Sequence, residues 1–435
     1  MKKIVLIVAL SALSIGTQAQ QTWTLRDCID YAIDHNIEVK KQQIAHEQRK
    51  VELNTSQFSR LPNLSADASQ RFDFGRSINE TNSYVNRNTS NSNFGLNTSI
   101  PLFTGMQIPN TIALDKLNLK AAAEDLSKAK EDIGISVTSA FLQVLFNEEI
   151  CKVAKKQVSL SNEQLHRMEA LNNVGKAAIS EVYEAKARCA QDELSAVQAE
   201  SNRQLSLLEL SQLLELPSPD GFVLSSPIIT PDFLPLTLPE DIFRQAVSVK
   251  PAIIAAQYRL EGANKSIRIA QSAFYPQLSF TAGLGSSYYH PSNEIENSFA
   301  RQMHNHLSKS VGFSLSVPIF NRLATRNRVR NARLQRQSQA LELENNKKAL
   351  YKEIQQAYYN AVAAQSRFTA SGIAAEASQS SFDLMSKKYD NGKATAVEYN
   401  EVKMNLLKAT SEQIQAKYDY LFRVKILDFY QGVSL

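Results

Sequence analysis

Glu398 and Glu401 lie three residues apart, so on a helix they share one face, and Glu181 and Glu184 repeat the pair 217 positions earlier. Carboxylates so spaced concentrate negative charge on one side; the plain alternative is an ordinary solvated helix surface. Each pair follows a glycine-centred turn, Val174-Gly175-Lys176 in one case and Asn391-Gly392-Lys393 in the other, where reversal of the chain favours positive φ. His304 and His306 with Glu294 and Glu296 offer metal-ligand types, but in a polar loop without ligand spacing, so no metal site is expected. The run Arg322, Arg326, Arg328, Arg330, Arg333 and Arg336 has no interleaved aromatics, which speaks against nucleic acid and for anionic lipid headgroups or acidic neighbouring helices. Cys28, Cys151 and Cys189 are widely spaced with no CxxC pair, and read as buried thiols rather than a disulfide framework or a zinc site. No nucleophile motif, phosphate-cradling loop or metal-binding helix pair appears, so neither a cofactor nor catalysis is expected.

The elements that must position these residues are long, because only 14 Gly and 13 Pro punctuate 435 residues. Residues 1–19 have the layout of a cleaved export leader, with Lys2 and Lys3 before an apolar run and small residues at Thr17 and Ala19. No cysteine lies at the expected cleavage point, so a lipid-anchored N-terminus is not expected. Losing the two lysines takes the formal charge from +5 to about +3, too near balance for a polyanionic partner. No later apolar run reaches about 18 residues, so membrane entry would require a barrel.

Two stretches read as one unit written twice. Residues 20–216 form the first repeat, with a β-hairpin at 62–101 and a helical hairpin turning near 175; residues 240–435 form the second, with a β-hairpin at 276–318 and a turn near 392. The Pro-rich stretch 217–239 connects them. Thr24-Leu25-Arg26-Asp27 starts a helix expected to run to about Phe58, with Ile37, Ile44, Val51 and Phe58 at seven-residue intervals. Period-two alternation gives strands at Leu64–Phe74, Phe94–Ile100, Leu278–Tyr288 and Val311–Val317, joined by polar loops. Ile112, Leu119, Leu126, Ile133 and Ala140, overlapped by Val137, Val144 and Cys151, keep a strict heptad through about 64 residues of helix, roughly 100 Å. Four strands cannot shield their own edges in lipid, and heptad seams are expected to bury nothing in an isolated hairpin, so closure must come from further copies.

In the order and spacing of the Thr24-Leu25 start, the exits Ile100-Pro101-Leu102-Phe103 and Val317-Pro318-Ile319-Phe320, and the glycine turns, the mature sequence resembles the TolC-like outer-membrane efflux family. That resemblance implies a mainly α fold with a transmembrane β-barrel: a homotrimer with a 12-stranded barrel in outer-membrane lipid and a periplasmic α-barrel. Its implied role is a passive exit duct, reached from an inner-membrane pump through a periplasmic adaptor, with the pump proton-driven or ATP-driven and the cargo a drug, a metal or a protein. It further implies a periplasmic gate at Tyr389, Glu398, Glu401, Glu181 and Glu184, where a ring of like charge favours cations and couples opening to pH and divalent ions. The turns Val174, Gly175, Lys176 and Asn391, Gly392, Lys393 are implied to dock the adaptor. One departure stands out: relatives often carry an arginine two residues after the second glycine, and this chain has Ala394. The rival class is a trimeric coiled-coil adhesin without a conduit, which leaves the four alternating strands unexplained.

Overall fold

The computed structural model describes residues 22–78, 81–219, 222–225, 236–292 and 298–433. The leader, much of the proline-rich connector, Glu294 and Glu296 lie outside the described residues. In chain order the elements are β1 (Thr22–Trp23), α1 (Leu25–His35), α2 (Ile37–Phe58), β2 (Asn63–Asp73), β3 (Arg76–Ile78), β4 (Tyr84–Asn86), β5 (Thr89–Phe103), α3 (Gln107–Asn173) and α4 (Ile179–Leu213). There follow β6 (Val223–Leu224), α5 (Pro239–Val249), α6 (Pro251–Ser272), β7 (Gln277–Pro291), α7 (Phe299–Asn305), β8 (Ser308–Ser316), α8 (Ala324–Asp390) and α9 (Ala396–Tyr430). Helix lengths recur in pairs: 11 residues in α1 and α5, 22 in α2 and α6, 67 in α3 and α8, 35 in α4 and α9.

The single helix expected to reach Phe58 is two helices. Asn36 breaks it with extended backbone, and the side chain explains why: its Nδ2 donates to the Leu213 carbonyl and its Oδ1 accepts the Glu38 amide. One buried amide thus ends α1 and starts α2. In the other half Lys250 takes the same place between α5 and α6, ahead of Pro251, whose ring disfavours helical backbone in the residue before it. At the start of α1 the Thr24 hydroxyl and the Asp27 carboxylate form a reciprocal capping box, with Asp27 N to Thr24 Oγ1 at 3.2 Å and Thr24 N to Asp27 Oδ2 at 3.0 Å.

Contacts divide the chain into two units. One contains residues 44–124 and 254–345 and is built on an antiparallel sheet of order β2-β5-β7-β8. The inner strands β5 and β7 run 15 residues each, longer than the alternation alone suggested. The register puts Leu64, Thr98, Ala282 and Val311 in one rung, and Ala66, Leu96 and Leu284 in the next, where β8 contributes Lys309, so most apolar residues of the four strands share a face. Ser65, Asn97, Gly283 and Ser310 make a rung of the opposite, polar face. β2 and β8 are the sheet edges, and Leu64, Phe72, Val311, Phe313 and Leu315 stand exposed on them. The polar loops are not featureless: β3 and β4 pair within the first, and α7 forms in the second, carrying His304 with His306 as its C-cap. α7 covers the stretch of β7 beyond β8, where the Gln302 side-chain amide exchanges two hydrogen bonds with the Tyr289 backbone at 3.0 and 2.9 Å. That carboxamide occupies the position of a strand peptide.

The other unit contains residues 22–43, the described part of 125–253, and 346–433. Its core joins Cys28, Ile29 and Ala32 of α1 to Val137, Phe141, Val144 and Leu145 of α3, Leu207 and Leu210 of α4 and Tyr418 of α9. Each such aliphatic or aromatic side chain contributes about 1.5–3 kcal/mol on burial. The expectation that the heptad seams need another chain is therefore corrected in part: on α3, Ile133, Val137, Ala140, Val144 and Cys151 are buried by this chain alone. The reason is that four long helices pack in one unit, where a lone hairpin would bury only one side of each. On α2 the stripe stays open, with Ile37, Ile44, Val51 and Phe58 each more than half exposed. The three thiols are free and buried.

Candidate gate and hairpin tips

Both helical hairpins turn within the second unit, and both turns obey the same geometry. Gly175 and Gly392 have φ of 73° and 68°. At the first turn Lys176 N donates to Leu171 O at 2.8 Å and Gly175 N to Asn172 O at 2.9 Å; at the second Lys393 N donates to Lys388 O at 2.8 Å and Gly392 N to Tyr389 O at 3.0 Å. These are Schellman closures, and a side chain at either glycine would strain them. Val174, Lys176, Asn391 and Lys393 flank the two glycines at the surface.

The four glutamates do not form one cluster of equals. Glu398 is the third residue of α9 and closes a capping box with Thr395: Glu398 N donates to Thr395 Oγ1 at 3.3 Å, and Thr395 N to Glu398 Oε2 at 2.8 Å. The Thr395 amide and then its hydroxyl, both donating to the carboxylate, hold the Glu398 pKa below its usual range. Glu181 occupies the matching place in α4 and accepts the Ala178 amide at 3.3 Å, but alanine returns no side-chain bond. Glu184 accepts Arg188 Nη2 at 2.7 Å. Glu401 is exposed on α9, one turn beyond Glu398.

Tyr389 sits at the centre of the contacts between the two hairpins. Its ring stacks on Tyr399 with centroids 4.7 Å apart, Tyr399 is buried and meets Phe382 at 5.5 Å, and the Arg167 guanidinium lies 5.5 Å from the Tyr389 centroid. Arg167, from the last turns of α3, also pairs with the Asp390 carboxylate at the end of α8. Burial pushes the Tyr389 phenol up, Glu181 and Asp390 push it further, and Arg167 and Arg188 oppose them, so it stays a neutral donor at physiological pH. Tyr389, Glu181 and Glu184 thus share a neighbourhood whose cations are Arg167 and Arg188.

Sequence reasoning missed Arg167, Asp390 and a deeper node. Lys403, one turn after Tyr399 on α9, is buried, and its Nζ donates to Ser161 Oγ at 2.9 Å and stands 3.7 Å from Asp192 Oδ2. Gln157 Nε2 donates to the same Asp192 oxygen at 3.2 Å. Burial lowers the Lys403 pKa, and Asp192 works against that shift. The available signal was weak: a lysine four residues after Tyr399 and three before Leu406, on a helix face that then continues through Thr410.

The comparisons with known proteins agree with this architecture. The family described as outer membrane efflux protein matches residues 28–215 and 242–432. TolC of Escherichia coli (strain K12) is 23% identical over 429 residues, covering 97% of this chain and 84% of the relative, and BepC of Brucella suis is 21% identical over 328 residues, covering 75% and 68%. Among solved structures, the Campylobacter jejuni CmeC outer membrane channel superposes with a TM-score of 0.80 at 19% identity, over 94% of this chain and 85% of that one. The open state of the Neisseria gonorrhoeae MtrE channel gives 0.75 at 19%, over 94% and 89%. The chain belongs to the outer membrane efflux protein family, a family of outer-membrane channels with a periplasmic extension.

Proposed function

We propose that three copies of this chain close one conduit through the outer membrane and serve as the passive exit of a tripartite export system, taking cargo from an inner-membrane pump through a periplasmic adaptor. The carrying observation is the sheet β2-β5-β7-β8, which has one apolar face and two unpaired edges. In hydrocarbon each unpaired backbone group costs several kcal/mol, so the edges must meet other copies, and three copies of the four-stranded sheet give a barrel of twelve. Recurrence of helix lengths across the two halves supports tandem duplication, with a leader at 1–19, repeats at 20–216 and 240–435 and a connector at 217–239. The duct performs no covalent chemistry, and the pump supplies the energy.

At the periplasmic mouth, Tyr389, Glu181, Glu184, Glu398 and Glu401 form the gate, and the turns at 174–176 and 391–393 receive the adaptor. Glu398 also caps α9, so charge must be removed without removing the cap. Glutamine keeps the acceptor of a capping box. Glu398→Gln with Glu401→Gln should weaken divalent-cation block of single-channel current in planar bilayers, raising the blocking concentration, because neutralising a ring of like charge removes its attraction for cations. Unchanged block would remove both residues from the gate. Open-channel current from purified protein tests the conduit itself.

A further inference from the structure

The last strand and the helix after it are joined by a segment whose apolar side chains stand largely exposed, while Asn321 turns back to donate to the Thr325 hydroxyl. β8 ends at Ser316 and α8 begins at Ala324. Between them Ile319 is 95% exposed and Phe320 78%, and Val317 and Leu323 are more than half exposed. Arg322 lies inside this apolar segment, and Arg326, Arg330 and Arg333 follow at i, i+4 and i+7, so the three share a stripe of α8. All four are exposed, and among the described residues none makes an ion pair or hydrogen bond. Arg328 lies off the stripe and lines a cleft with Gln107, Ile269 and Gln335.

The backbone adds an independent observation. Arg322 and Leu323 are consecutive left-handed residues, with φ of 56° and 63°, a conformation disfavoured for any residue but glycine. The matching place after β5 is Gly105-Met106, with φ of 60° and 67°. There glycine is required for a second reason: a Cβ would lie 2.5 Å from the Ser272 carbonyl oxygen and 2.8 Å from Tyr275 Cβ. The same bend therefore has glycine where protein packs against it and arginine where the side chain is free. If a second copy packed on residue 322 as closely as Ser272 packs on Gly105, an arginine would not fit.

We propose that the β8–α8 junction is a docking site for anionic phospholipid headgroups: Ile319, Phe320 and Leu323 enter the acyl layer while Arg322 and Arg326 hold lipid phosphate, with Arg330 and Arg333 extending the positive stripe away from the membrane. Three features select this occupant. The apolar face of the sheet ends where the segment begins, which puts it at the periplasmic membrane boundary. Exposed aliphatic and aromatic side chains beside arginines match an interface of acyl chains and phosphates. Four cations without an anion call for one, and guanidinium forks bind phosphate with two parallel hydrogen bonds. The assignment rests on the outer-membrane reading above.

The test uses the whole protein with its single native tryptophan removed, Trp23→Phe, and a reporter introduced at Phe320→Trp. The protein is reconstituted in vesicles of phosphatidylethanolamine and phosphatidylglycerol at four to one, with brominated acyl chains on one lipid or the other. Conductance and resistance to alkaline extraction are measured on the same samples, so failure to form a membrane channel is read separately. Per mole of brominated lipid, phosphatidylglycerol should quench the reporter about fivefold more than phosphatidylethanolamine, the enrichment expected of one basic side chain at an anionic surface. The preference should vanish in Arg322→Gly/Arg326→Gln/Arg330→Gln, whose glycine suits the bend better than the native residue. Equal quenching by both lipids in the parent would overturn the proposal by showing contact without selection. No quenching by either would overturn it by showing that a second copy covers the segment.

Discussion

Glu200 shows how much one carboxylate can gather at the α3–α4 seam. It accepts Lys155 Nζ at 2.8 Å, Arg203 Nη2 at 2.5 Å and the Cys151 thiol at 3.1 Å, and these bonds, the Arg203 contact foremost, bring its pKa down to about 2. A depressed carboxylate contributes stability that is fully present above its ordinary pKa of 4.5 and is lost as pH falls toward 2. Glu200→Gln should therefore flatten the fall in thermal midpoint between about pH 4.5 and 2; a slope equal to wild type would assign the acid sensitivity elsewhere. Arg167 supports a second prediction. Arg167→Asp should raise the open probability of the channel by removing both the Asp390 pair and the cation over Tyr389, and Arg167→Asp with Asp390→Arg should restore closure. If the double variant stays as open as the single one, the pair is a bystander. Neither Arg167 nor Asp390 was legible in the sequence, because a contact across 223 positions leaves no local period. The Asp27 cap was legible, since threonine followed three residues later by an acid is a local signal; the same signal at Thr395 was missed, because Glu398 was assigned to the gate instead.

At the scale of elements, strands and long helices followed from period and punctuation, whereas breaks and small insertions did not. The interruption at Asn36 depends on a hydrogen bond to the Leu213 carbonyl, 177 positions away, so the heptad simply ran through it. The hairpin β3–β4 and the helix α7 lie in segments whose composition reads as polar loop, and each is secured by contacts no local pattern encodes, such as Gln302 on the β7 backbone. The Gly105-Met106 bend gives the element-scale prediction. Gly105→Ala meets positive φ and a carbonyl at 2.5 Å together, so it should destabilise the β5–α3 junction by about 2–4 kcal/mol, while Arg322→Gly should stabilise its counterpart by about 1 kcal/mol. Denaturant unfolding of the purified protein measures both, and equal destabilisation by the two changes would refute the reading of the junctions.

For the whole molecule, the open stripe Ile37, Ile44, Val51 and Phe58 and the edges β2 and β8 bear on the proposed function in the same way: they are the surfaces that further copies would cover. Ile44→Asp with Val51→Asp should shift the protein in detergent from trimer to monomer while far-ultraviolet circular dichroism keeps its helical signal, because neither side chain enters the buried core. A trimer of unchanged stability would place the seam elsewhere. The need for other copies was legible from the strand count, yet which helix face they cover was not, because buried and open stripes share one heptad spacing and differ only in how many helices surround them. The two tips carry one more consequence. Thr395 and Glu398 hold the start of α9 with bonds in both directions, whereas Ala178 leaves α4 with one, a deficit of about 1 kcal/mol. If three copies close the proposed mouth, six hairpin tips with firmly and loosely capped helix starts would alternate around it, so an entrance sixfold in outline would be threefold in stiffness.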